Sequence, residues 1–111
     1  MSKRSIPSTL ELVRGGDVLG TIDVKPGGAD FPWSSGAFHP SPKFEAVRGL
    51  FERELALLRA NTENDAAQWD DWEAVHEELH APGLQLRGAG AYAEEEILIH
   101  IDGAEAWWRG E

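Results

Sequence analysis

The chain has 111 residues, with twenty acidic side chains against ten basic ones and no cysteine; this length suits one domain over residues 1–111, burying roughly 65% of the surface its unfolded chain would expose. The lack of cysteine excludes a disulfide framework and thiolate metal sites, which makes the cytoplasm the expected compartment, and no apolar run or leader-like N-terminus points to a membrane or to secretion. A formal net charge of −10 repels polyphosphate backbones, so nucleic acid is not an expected partner, whereas a basic protein is attracted.

Residues 9–14 and 18–24 are β-patterned runs flanking Gly15, Gly16 and Asp17, and predict a hairpin. A three-residue loop is preferred, because it places Leu10 and Leu12 on one face with Val18, Gly20, Ile22 and Val24, leaving Val13 and Leu19 outside. Residues 25–40 carry Pro26, Gly27, Gly28, Pro32, Gly36 and Pro40, too many breakers for regular structure. They also carry Phe31, Trp33 and Phe38, which a solvated linker would not expose. The expectation is an irregular lid folded over the core or, alternatively, a surface facing a ligand or partner.

Residues 41–60 read as the longest and most apolar-faced helix, with Ser41 as its cap and Pro42 at its first position. Phe44, Val47, Phe51, Leu55 and Leu58 recur at three- and four-residue spacing, while Glu45, Arg48, Glu52 and Arg59 point away. Residues 61–65 break this helix, and Asn64 or Asp65 caps a second one over 66–80, which stops before Pro82 and Gly83. Its stripe is Trp69, Trp72, Val75, His76 and Leu79.

A short strand over 84–87 and a loose turn over 88–91 lead to a second hairpin, 96–101 with 104–109, around Asp102 and Gly103. Pairing across that turn sets Ile101 opposite Ala104, Ile99 opposite Ala106 and Ile97 opposite Trp108 on the core face. His100 opposite Glu105 and Leu98 opposite Trp107 then occupy the other face. The expected fold is α+β, an antiparallel sheet of about five strands in the order β-β-α-α-β-β-β, with two helices on one face. An apolar Trp107 and Leu98 on the second face call for a cover, supplied by the chain's own loop, a second copy or a different protein.

His76, Glu77, Glu78, Leu79 and His80 match the H-E-x-x-H pattern of zinc peptidases, in which two histidines one turn apart ligate zinc and the glutamate activates a water. A Glu-rich chain produces this pattern by chance. The helix ends just beyond His80, and the third ligand is undefined among Glu94, Glu95, Glu96 and His100. The plainer reading makes His76 a partly buried member of the tryptophan stripe and His80 a C-terminal residue favoured by the helix dipole. No cysteine nucleophile, nucleophile elbow or phosphate loop is present, and Asp70 and Asp71 diverge on their helix.

The sequence resembles a group of small, uncharacterised bacterial proteins. The shared pieces are Leu19-Gly20; Asp30-Phe31-Pro32-Trp33 followed by Gly36-Ala37-Phe38 and Pro40; the helix around Phe44 and 50–55; Asp71-Trp72-Glu73; and the run from His100 to Arg109. The resemblance spans most of the chain and implies a bacterial origin, but it brings no activity, cofactor or catalytic residue.

The expectation is therefore a small, acidic, non-catalytic protein-binding or regulatory module. It needs no cofactor and has a protein partner or forms a homodimer. Trp33, Phe38, Leu98, His100 and Trp107 are its candidate interface residues. The alternatives are a zinc hydrolase ligating metal through His76 and His80, or an acidic nucleic-acid mimic that blocks a DNA-binding protein.

Overall fold

The computed structural model describes residues 7–25, 33–61, 66–88, 93–94 and 97–110. The fold is α+β: strands β1 (Thr9–Arg14), β2 (Asp17–Lys25) and β3 (Ser34–Pro40) precede helices α1 (Arg48–Ala60) and α2 (Ala66–His80). β4 (Leu84–Gly88), β5 (Ala93–Glu94), β6 (Ile97–Asp102) and β7 (Glu105–Gly110) follow. All seven strands join one sheet in the order β5-β4-β1-β2-β3-β7-β6, with every pairing antiparallel. No helix is long and apolar enough to cross a membrane among the described residues.

The first hairpin keeps Leu10, Leu12, Gly20 and Ile22 on the expected face by a different route, and exchanges the sides of Val18 and Leu19. Its loop has two residues, Gly15 and Gly16, at φ 57° and 90°, and Arg14 pairs with Asp17. Glycine takes both left-handed positions of such a turn without steric cost. The register then shifts between Leu12 and Val13, so that Leu12 opposes Gly20 while Val13 opposes Val18. The extra residue of this bulge is Leu19, which turns into the core at 2% exposure instead of lying outside. Val13 is buried as well. Ser41 serves the bulge: its N–H donates to the Leu19 carbonyl at 2.8 Å and its hydroxyl to the Val18 carbonyl at 2.6 Å.

Part of the expected lid is a central strand. β3 lies between β2 and β7, with Phe38 opposite Ile22 and Ser34 opposite Trp108. Gly36 does not break this strand but allows it, since a Cβ there would collide with the Asp23 carbonyl oxygen and Ile22. Phe31 lies outside the described residues. The expected 41–60 helix is also divided: a 3-10 turn over Pro42–Ala46, capped by the Ser41 hydroxyl, precedes α1, and Val47 separates them. Phe38 meets Phe44 edge-on at 5.0 Å between ring centres and Phe44 meets Phe51 at a tilt at 5.5 Å, joining β3 through the turn to α1 in the core. The expected caps of α2 fall outside the described residues.

The second hairpin turns at Gly103 (φ 61°) and Ala104, one residue later than expected. Asp102 therefore pairs with Glu105, Ile101 with Ala106, Ile99 with Trp108 and His100 with Trp107. Every partner moves by two positions, an even step that leaves each side chain on its predicted face. The helices do not simply cover one face. Phe51 of α1 joins Ile97, Ile99 and Ile101 in the core, whereas Glu54 of the same helix meets His100, which alternates to the opposite side. α1 thus runs beside the edge strand β6.

Candidate functional site

Glu54 sits within the apolar stripe of α1, three residues beyond Phe51 and next to Leu55, and is 1% exposed. A carboxylate at such a depth is tolerable only with its lone pairs engaged. Its Oε2 accepts from Trp72 Nε1 of α2 at 2.7 Å, and its Oε1 lies 2.9 Å from His100 Nδ1 of β6. Indole N–H can only donate, so Oε2 is the acceptor, and an Nδ1–H on His100 completes the pair. One buried side chain thereby ties both helices to the edge of the sheet.

His100, 3% exposed, is held between two indoles. Its ring centre lies 5.7 Å from that of Trp33 and 5.6 Å from that of Trp107. The Arg59 guanidinium stands 5.9 Å from the Trp107 ring and that of Arg109 5.9 Å from the Trp33 ring. The order Arg59, Trp107, His100, Trp33, Arg109 forms a cation–aromatic layer across the outer face of β6, β7 and β3. Arg59 also pairs with Asp102 at 3.0 Å. Trp107 is central, with His100 beside it on β6 and Ser35 on β3.

Of the candidate interface residues, Trp33, Leu98 and Trp107 are half-buried on or beside this outer face. His100 is at the site but beneath the surface. Phe38 is a correction: at 1% exposure it belongs to the inner core, because its pairing with Ile22 fixes it on the face that packs on Phe44. The sequence reading missed Glu54, Arg59 and Arg109. Glu54 had a legible signal, a charge at a core position of an amphipathic helix.

A second aromatic row runs along α2, where Trp69, Trp72, His76 and His80 contact in turn at 5.7, 4.7 and 4.1 Å between ring centres. His80 lies with Nδ1 2.9 Å from the His76 carbonyl oxygen and Nε2 3.1 Å from that of Ile97. Metal ligation by His80 would require giving up one of these positions. No group of three or more potential metal-ligating side chains gathers among the described residues. Among those residues, the only hydrogen bond of the His100 ring goes to Glu54, a contact that orients the ring. No family model, curated protein or solved structure matches the chain.

Proposed function

We propose that the protein is a non-catalytic binding module whose working surface is the outer face of β3, β7 and β6, centred on Trp107. The observation that carries this reading is the half-buried Trp107 in the middle of three strands, braced on one side by a buried, Glu54-oriented His100. A bulky amphipathic ring fixed by packing and flanked by charge is the form that binding anchors take at protein interfaces. Glu54 serves that face by orienting His100, so the buried polar pair contributes rigidity rather than turnover.

The test is Trp107→Ser. It should remain folded while losing reversible association, whether with itself in a sedimentation series or with a protein retained from cell extract at physiological salt. Unchanged association, or none in the parent protein, would overturn the reading. A second reading has its own observation. Asp70, Asp71, Glu73, Glu77 and Glu78 are exposed on α2, and none enters an ion pair among the described residues. Such a face suits a basic partner, as a nucleic-acid mimic would, and binding there should weaken steeply with salt and survive Trp107→Ser.

A further inference from the structure

We infer that the partner of the outer face is a second copy of this chain; this rests on reading Trp107 as the centre of a binding surface. Along β7 the outer positions are Glu105, Trp107 and Arg109, so the line reads acid, aromatic, base. Glu105 and Arg109 enter no ion pair among the described residues, and Arg109 Nε is buried without a hydrogen-bond partner. Elsewhere Lys43, Arg48, Arg59 and Arg87 each hold a carboxylate and Arg14 donates to two carbonyl oxygens of α2, while Lys25 and Arg53 are exposed and, like Arg109, enter no ion pair among the described residues; of these three only Arg109 has a buried nitrogen. The two charges beside Trp107 thus have no ion-pair partner among the described residues.

Their order is self-complementary under one symmetry operation. A twofold axis lying between two stacked sheets and crossing β7 at Trp107 reverses the strand direction. It brings Glu105 of each copy against Arg109 of the other and the two indoles together at the centre. On β3, Ala37 is level with Glu105 and Ser35 with Trp107, which places Trp33 level with Arg109. The same rotation sets the large Trp33 ring over the small Ala37 of the second copy. An axis parallel to β7 would instead oppose Glu105 to Glu105 and Arg109 to Arg109. A strongly basic foreign protein would leave Arg109 unmatched, whereas a copy supplies the matching charges in reverse order.

Sedimentation of the full chain across a concentration series tests this with E105R, R109E, the double variant and an equimolar mixture of the two single variants, each checked for folding by circular dichroism. The parent should dimerise. Each single variant should self-associate at least about tenfold more weakly, because like charges then face each other, and the double variant should recover. Mixing the two single variants should give a heterodimer, since one copy then carries two positive and the other two negative side chains at these positions. Folded single variants that do not associate on mixing overturn the assignment. The parent series decides without any variant: a parent that stays monomeric throughout also overturns it. If that monomer still captures a foreign protein through Trp107, the binding-module reading survives and only the second copy is lost. If it does not, both fall.

Discussion

On the inner side of β7, Ala106 and Trp108 are sealed at 0% and 3% exposure among Ile99, Ile101 and the phenylalanines that reach to α1. On the outer side of the same strand, Glu105, Trp107 and Arg109 lie beside a buried glutamate–histidine pair and keep part of their surface open. The inner face is held by apolar burial, which is non-directional. The outer face depends on directed contacts, in which a lost partner leaves a buried polar group stranded. The first arrangement makes a fold; the second holds an aromatic side chain in a fixed pose.

The largest effects should come from breaking the inner side. Phe51→Ala and Trp108→Ser should each remove about 3–5 kcal/mol in denaturant melts, most of what a domain of this size has. Parent-like midpoints for either would mean that the two faces are assigned wrongly. A smaller effect separates the polar hub from ordinary packing. Glu54→Ala strands the Trp72 N–H and His100 Nδ1 and should cost about 3 kcal/mol. Glu54→Gln keeps an oxygen for Trp72 and offers an N–H to the imidazole, so it should cost only about 1 kcal/mol. Equal losses in the two variants would show that Glu54 acts through its carboxylate charge, which glutamine lacks although it keeps the volume.

The sequence is explicit about faces and less so about neighbours. Strand alternation predicts Trp108 inward and Trp107 outward, and that survives a hairpin turn one residue later than expected because the partner shift is even. The bulge at Leu19 could not be foreseen from the pattern, since a three-residue loop and a two-residue loop with a bulge place Leu10, Leu12 and Ile22 alike. β3 was hidden because Gly36 and Pro40 resemble loop residues until the neighbouring strand shows that a side chain at 36 would collide with it. Glu54 was visible in principle as a charge inside an apolar stripe, but its partners Trp72 and His100 lie 18 and 46 residues away, and no local pattern joins them. That Glu105 and Arg109 flank Trp107 without an ion-pair partner among the described residues is visible only in the folded chain.

Two adjacent tryptophans, Trp107 and Trp108, face opposite sides of β7. Hydroxyl-radical footprinting of the unmodified protein, read residue by residue by mass spectrometry across a dilution series, addresses both at once. The expected result is that Trp108 stays unreactive at every concentration, while Trp107 is oxidised in dilute solution and becomes protected as the protein associates. Equal protection of Trp107 and Trp108 in the most dilute sample would contradict the account, because the outer face would then be closed by the chain itself and would offer no surface to a partner.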